Sequence, residues 1–292
     1  MSGDSVQHDK IDIVMPTWNS NKPFFTHVLF AIKNLVPVNK LIVVDRYSHD
    51  GTLDVIKSYF PDATIIRSKA NLAFARMIGL KHAETDIIGF IDDDVIVSRN
   101  WYTFLFNLIS ASSKIGMIYP LTGFHRPFSK KYELVKKRGD VTLWEIAFKG
   151  LSSIRGRTIA TMVRRKAVID WSPPKSLMAF EDYHLTQHIL QKGYLVIQIN
   201  KPLALHAPGL TANLRRLINK TAWNGAGIRT TKAMKPSELI VYLLGRTIQG
   251  LLPGQYPTLR YAGYKNQIIY IASLCGYIIG YAVPHKYLIP ER

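Results

Sequence analysis

The sequence predicts an α/β protein built on a mostly parallel sheet, with a helical extension at its C-terminal end. Three observations predict it. Short apolar runs alternate with helical periodicity through the first third of the chain, a polar or acidic residue closes nearly every run, and the pattern changes to long apolar helices near residue 211. Residues 11–15 form a branched apolar run stopped by Pro16, a strand, and residues 24–35 carry apolar side chains at helical spacing until Pro37. Residues 41–44 are a second buried-type strand ending at Asp45, and residues 52–60 are helical up to Pro61. A third strand over 63–66, a third helix over 72–82 and a fourth strand over 87–91 follow, the last running into Asp92. Strands separated by helices of this length imply right-handed βαβ units and a parallel sheet covered on both faces.

The middle of the chain is less regular. Residues 123–139 are basic, with Phe124 and Phe128 interspersed, and read as a long loop or lid. A strand is expected over 158–163, and a helix within 179–192 that ends at Gly193, a C-cap glycine. Two short strands are expected over 195–199 and 203–205, the second ending at His206. Further on, residues 238–252 place Ile240, Leu243, Leu244, Ile248, Leu251 and Leu252 at helical spacing around Arg246. Residues 268–283 are almost uninterrupted apolar sequence between Lys265 and His285-Lys286, slightly short of the roughly 20 residues a spanning helix needs. Three fates stay open for that segment: a buried core helix, a helix lying in a membrane interface, or a span. The expected organisation is a flexible polar stretch over 1–10, a catalytic-type domain over 11–210, and a helical, membrane-associated region over 211–292.

Composition narrows the partners. The formal charge of +18 attracts polyanions, among them nucleotides, nucleic acid and anionic lipid. One cysteine, Cys275, excludes an intramolecular disulfide and a cysteine-based zinc cluster, which fits a reducing compartment. Basic residues are dispersed in small clusters such as Lys136-Lys137-Arg138 and Arg215-Arg216, and no RNA-binding signature is present, so nucleic acid is not the expected partner. The polar N-terminus holds no signal peptide, and the expected location is the cytoplasm, peripheral on the cytoplasmic face of the membrane.

In a parallel α/β sheet the ligand lies beyond the carboxyl ends of the strands. Here those positions hold Pro16-Thr17-Trp18-Asn19, Asp45-Arg46, Arg67-Ser68 and Asp92-Asp93-Asp94. Three adjacent carboxylates repel one another unless a cation compensates. Alternate residues can share a side, so Asp92 and Asp94 are candidate ligands of Mg²⁺ or Mn²⁺, with Asp93 facing elsewhere. The alternative is a solvated acidic turn, or the cap of a helix over 95–108. His184 and His188 lie four apart on one helical face, but no third ligand accompanies them.

Several of these segments together resemble the family 2 glycosyltransferases. Asp45, followed by Ser48-His49-Asp50-Gly51-Thr52, is similar to that family's strand-end signature, and Val14 to Asn19 to its opening strand and turn. Asn71 to Gly79 resembles its Asn…Ala-Arg-x-x-Gly helix start, with Arg76 as the arginine, and Asp92-Asp93-Asp94 sits where its Asp-x-Asp motif belongs. Met162 to Arg165, Glu181 to Leu185, and Gly193-Tyr194 are similar to the acceptor half of the same domain. The likeness covers residues 11–207.

That resemblance implies a GT-A nucleotide-sugar-binding fold and a metal-dependent, inverting transfer of one sugar from a UDP- or GDP-sugar to a lipid-linked or glycan acceptor. It implies donor contacts from Pro16, Thr17, Asn19, Asp45, Arg76, Asp92 and Asp93, with Thr17 and Asp45 at the base and ribose. Mn²⁺ or Mg²⁺ would be held by Asp92, Asp94 and His206, although His206 equally suits a structural or phosphate-contacting role. Asp182 would be the general base with Glu181 beside it, or would position an acceptor phosphate that needs no base; capping of a helix N-terminus is the plainer use of both. The Ser48–Thr52 segment also suits a turn and helix cap. Two departures matter: Gln-x-x-Arg-Trp of processive synthases is absent, and Arg46-Tyr47 replace the usual acidic and small residues. Two other readings compete, a non-catalytic membrane-associated nucleotide-sugar-binding or scaffold protein and a nucleotidyltransferase, though residues 16–21 are not the Gly-rich loop the latter needs.

Overall fold

The computed structural model describes residues 9–124, 141–144, 156–207, 214–251, 266–284 and 288. The expected lid falls almost wholly on residues 125–140, outside the described residues, as do residues 1–8 of the expected flexible N-terminus. The chain divides into two compact units: Met1–Lys149 with Ile154–Ser172 and Leu185–Pro208, and Gly150–Ser153 with Pro173–His184 and Gly209–Arg292.

In the first unit β1 (Ile11–Thr17), α1 (Pro23–Leu35), β2 (Val38–Asp45), α2 (Thr52–Tyr59), β3 (Thr64–Arg67), α3 (Leu72–His82) and β4 (Ile87–Ile91) alternate as the apolar pattern predicts. β5 (Val95–Val97), α4 (Trp101–Ser110), β6 (Ile115–Phe124), β7 (Val141–Trp144), β8 (Ala160–Arg164) and α5 (Arg165–Val168) follow, then α6 (Glu181–Gln191) and β9 (Leu195–His206). Among the described residues the strand order is β3-β2-β1-β4-β8-β6-β9-β5, with β7 paired to β9. β3, β2, β1 and β4 run parallel, and β6 runs parallel to β9, while β8, β5 and β7 are antiparallel to their neighbours.

Strand periodicity assigns the two faces. Ile11, Ile13 and Met15 enter a core shared with Phe25, Val28 and Leu29 of α1 and with Trp101 and Leu105 of α4. Val14 points the other way onto α3, where a Cβ on Gly79 would lie 2.3 Å from Val14 Cγ1; only glycine admits that approach. Trp101, fully buried, donates its indole N–H to the carbonyl of Ala160 at 3.0 Å and so ties α4 to β8.

Two local expectations change. Residues 95–97 are strand β5 and the next helix starts only at Trp101, so Asp92-Asp93-Asp94 caps no helix. The strands expected over 195–199 and 203–205 are one strand, β9, whose pairing with β6 slips between Ile199 and Pro202. Proline offers no N–H to a ladder, so the chain passes it through an irregularity instead of ending the strand. At the expected cap Gly193 takes φ 83, and the N–H groups of Gly193 and Tyr194 bond back to Leu190 and Ile189.

The second unit contains α7 (Leu214–Thr231), α8 (Pro236–Leu251) and α9 (Asn266–Ala282). Phe180, Tyr183, Ile228, Leu239, Leu243 and Tyr277 form one of its apolar clusters. α7 and α9 cross with almost no space between backbones. A Cβ on Gly280 would stand 1.7 Å from the carbonyl oxygen of Ala222, and one on Gly225 2.2 Å from that of Tyr277. Among the described residues no helix is long and apolar enough to cross a membrane.

One buried carboxylate locks the start of the sheet. Asp12 of β1 is 0% exposed; its Oδ1 accepts from Asn39 Nδ2 at 2.8 Å, and its Oδ2 from the N–H groups of Glu84 and Thr85 at 2.6 and 3.0 Å. β2 and the turn before β4 are thereby held to β1. Asp12→Ala leaves those donors buried and unpaired, and urea unfolding should show a loss of about 3 kcal/mol.

Candidate active site at the strand ends

The registers of β1, β2 and β3 bring Thr17, Asp45 and Arg67 into one row across their carboxyl ends. Asp45 is the centre of that row and is 0% exposed. Its carboxylate accepts from the Thr17 hydroxyl at 3.3 Å, from the Ser48 N–H at 3.0 Å and from the Ser48 hydroxyl, and Arg67 Nε stands 3.6 Å away. Asp45 therefore reaches the strand end with its oxygens held in place, which fixes their direction before any ligand arrives.

The loop after β1 is clipped onto the turn after β2. The Asn19 N–H donates to Ser48 Oγ at 2.8 Å and Asn19 Oδ1 accepts from the His49 N–H at 3.1 Å. The Ser20 N–H donates to Thr52 Oγ1 at 2.8 Å, and the Asn21 N–H to Asp50 Oδ2 at 3.0 Å. These bonds explain why Ser48, Asp50 and Thr52 recur at that spacing: they hold a neighbouring loop as well as their own turn. The geometry requires left-handed backbone at Asn19 (φ 49), Tyr47 (φ 56) and Gly51 (φ 84). Asparagine and glycine adopt it readily and tyrosine does not. At the rim the Arg67 guanidinium lies 4.9 Å from the Tyr47 ring centroid and that of Arg46 5.3 Å from Trp18. Trp18 is 41% and Tyr47 47% exposed, so each presents an aromatic surface at the mouth of the crevice.

Asn71 caps α3 by accepting the Phe74 N–H at 3.0 Å, and the helix carries Arg76 inward. Arg76 is 0% exposed, with its guanidinium 5.9 Å from the Phe90 ring centroid and Nη2 2.7 Å from Asp92 Oδ1. A charge so deeply placed needs a partner, and Asp92 supplies it. The next carboxylate goes elsewhere: Ser20 donates its hydroxyl to Asp93 Oδ2, tying the β1 loop to the acidic turn. Burial pushes the Asp93 carboxyl up to about 7; the Ser20 hydrogen bond opposes this and the charges of Asp94 and Asp92 add to it. Asp94 meets β9. Val95 pairs with His206, the Ala207 N–H donates to the Asp94 carbonyl at 2.8 Å, and His206 Nε2 stands 3.3 Å from Asp94 Oδ2.

Thr17, Asn19, Asp45, Arg76, Asp92, Asp93, Asp94 and His206 are thus linked through these strand-end elements, with Pro16 one residue inside β1. Among the described residues no three His, Cys, Asp or Glu side chains already form a complete metal-binding set. Asp94 with His206 still fits part of one, since a hard divalent ion commonly takes one or two protein ligands and completes its shell with substrate phosphate and water. Glu181 and Asp182 belong to the second unit. They open α6, where Asp182 Oδ1 accepts the Tyr183 N–H at 2.8 Å. Phe180 just before them is held at φ 66, its ring 6.3 Å from Tyr183, and a Cβ on Gly227 of α7 would lie 2.6 Å from the Ala179 carbonyl oxygen. Nothing in the local sequence announces that left-handed phenylalanine.

Fold and strand-end groups together define a GT-A domain of the nucleotide-sugar-dependent type. The chain belongs to glycosyl transferase family 2, whose model matches residues 12–170, more than half of its length. Over 63 residues it is 40% identical to the SPbeta prophage-derived glycosyltransferase SunS of Bacillus subtilis, a match spanning 21% of this chain and 15% of that one. Among solved structures it is similar to S. aureus TarS 1-349 in complex with UDP-GlcNAc, with a TM-score of 0.56 and 14% identity over 83% of this chain and 80% of the other. It is also similar to the mannosyltransferase PcManGT from Pyrobaculum calidifontis in complex with GDP-Man and Mn²⁺, with a TM-score of 0.53 and 16% identity over 94% of this chain and 73% of the other. At these identities the two structures establish the fold.

The Asp50 clip carries a pH signature. Burial pushes the Asp50 carboxyl up, but the Thr52 hydroxyl and the N–H groups of Asn21 and Thr52 outweigh it, and the group is held below its ordinary value of 3.8. A carboxylate lowered on folding contributes stability above its unfolded pKa and loses it as pH falls through the lowered value. Asp50→Asn should therefore flatten the fall in stability below about pH 4, read by urea titrations across the acid range.

Proposed function

We propose that this chain transfers a single sugar from a UDP- or GDP-sugar to a lipid-linked or glycan acceptor, with inversion and with the help of Mn²⁺ or Mg²⁺. The observation that carries the reading is the joining of Thr17, Asp45, Asp92 and Asp94 at the carboxyl ends of β1, β2 and β4, where a GT-A domain takes its donor. Thr17 and Asp45 receive the base and ribose, flanked by Pro16 and Asn19, and the exposed ring of Trp18 offers the base a face to stack on. The donors in TarS and PcManGT, UDP-GlcNAc and GDP-Man, support the donor class and leave the base open.

In this reading Asp94 and His206 hold the divalent ion, with Asp92 completing the acidic wall; when bound, the ion offsets charge building on the departing nucleoside diphosphate. Arg76 is too deeply buried to serve as an open ligand contact, and its role is to fix Asp92. Asp93 braces the β1 loop through Ser20. The acceptor oxygen attacks the anomeric carbon, the bond from that carbon to the diphosphate oxygen breaks, and its electron pair leaves with the nucleoside diphosphate. Asp182 takes the proton of an acceptor hydroxyl, with Glu181 beside it. This assignment rests on the sequence motif and on Phe180, since strained backbone concentrates at functional sites. The C-terminal helices bring the chain to the membrane face where a lipid-linked acceptor resides.

Calorimetric titration of UDP, GDP and their sugars, with and without Mn²⁺, tests the donor reading. Metal-dependent binding that weakens at least about tenfold in Asp94→Ala is expected; no binding of any nucleotide by the folded protein would sink the proposal in favour of a scaffold. Asp182→Asn should leave donor affinity unchanged and slow transfer to a hydroxyl acceptor by about a hundredfold or more. An unchanged rate would leave Asp182 the smaller task of positioning the acceptor.

A further inference from the structure

Packing in the second unit leaves α8 and α9 each with one apolar stripe turned to solvent. On α8, Ile240, Val241 and Leu244 are at least 57% exposed, whereas Leu239 and Leu243 are buried. On α9, Ile271, Ile278 and Ile279 are exposed together with Cys275, at a spacing that keeps them on one side of the helix. The two helices meet through the rings of Tyr242 and Tyr277, 6.1 Å apart. The other side of α9 is committed, because Gly276 and Gly280 lie against the backbone of α7 with no room for a Cβ. Turning α9 to bury its isoleucines would break that crossing. Single exposed apolar residues are ordinary on a protein surface, but stripes on two helices packed together call for an occupant.

Charge selects the occupant. Residues 209–292 hold eleven Lys and Arg against two acidic residues, within a chain of net charge +18. Arg215 and Lys220 of α7, and Lys232 and Lys235 after it, are exposed. A second copy would bring the same positive excess to the contact and be repelled, while anionic headgroups would neutralise it. With no helix among the described residues able to cross a membrane, immersion has to be lengthwise.

We propose that the α8–α9 face of this protein docks on an anionic lipid bilayer, with Ile240, Val241, Leu244, Ile271, Ile278 and Ile279 in the acyl boundary and the lysines and arginines of the same unit at the headgroups. The proposal rests on the transferase reading only for its purpose, bringing the chain to a lipid-linked acceptor; docking itself needs neither donor nor acceptor.

The test sediments the full chain with vesicles of phosphatidylcholine alone and of equal parts phosphatidylcholine and phosphatidylglycerol, with no nucleotide sugar present. About tenfold stronger partitioning onto the anionic vesicles is expected, weakening as salt is raised. Combining Val241→Ser, Leu244→Ser, Ile271→Ser and Ile278→Ser should lower it by a further factor of about ten, while Phe30→Ser, at an exposed apolar position on α1, should change nothing. A fluorophore on Cys275, the only cysteine, reads the same event without altering the stripes, and its emission should move to the blue on anionic vesicles. Unchanged emission with both vesicles, or equal loss in the Phe30→Ser control, overturns the proposal. So does a concentration-dependent dimer in sedimentation velocity that the four serine substitutions dissolve, which would give the face to a second copy. Vesicle binding that persists in a protein unable to bind any nucleotide supports docking and sinks the transferase reading alone.

Discussion

Three carboxylates on consecutive residues repel one another, and the arrangement of the first unit's strand ends follows from how that repulsion is relieved. Each of Asp92, Asp93 and Asp94 is drawn toward a different element: a buried guanidinium on α3, a hydroxyl in the loop after β1, and an imidazole on β9. The turn is thereby strung between three parts of the fold. An acidic loop that would otherwise be soft in solution becomes a fixed part of the crevice wall, and whatever cation joins it meets carboxylates already restrained. Arg76 shows what this requires, because a guanidinium with no exposed surface survives only where the opposite charge is equally fixed.

The same logic of mutual restraint governs the neighbouring loops. Ser48 serves two masters, donating to Asp45 and accepting from the backbone of Asn19, so the β1 and β2 ends cannot move independently. Tyr47 pays for its left-handed backbone, roughly 1–3 kcal/mol for such a residue, with a contact to Arg67. Arg67 in turn reaches Asp45 and the Ser48 carbonyl. Arg46 and Tyr47, which depart from the usual family pattern, are therefore integral to this rim through their contacts with Trp18 and Arg67.

Elements that rest on local periodicity were readable from the sequence. The helix over 72–82 and the strand over 87–91 have the bounds the apolar spacing predicts, and Asp45, Asp92 and His206 stand at strand ends because apolar runs stop there. Features made by pairing across long stretches of chain left no such trace. The reversal of β8 beside β4 depends on the path of the connecting segment, and the Ser20–Asp93 bond joins residues 73 apart. Likewise, the tripeptide pattern that marked Arg76 gave no sign that it would turn completely inward, which depends on Phe90 and Asp92 from another strand. The slip at Pro202 could have been anticipated from the missing N–H, but an interrupted apolar run reads equally well as two strands.

The crossing of α7 and α9 has a consequence for how this chain can change over time. Where backbone meets backbone at Gly225, Gly276 and Gly280, any side chain is refused, so that side of α9 is closed to variation. The opposite side touches nothing within the unit at Ile271, Ile278 and Ile279, and substitutions there leave the packing alone. One helix thus separates an inner surface that selection must freeze from an outer one it can rewrite, and the affinity of the outer surface for its surroundings can be retuned residue by residue at little cost to the fold.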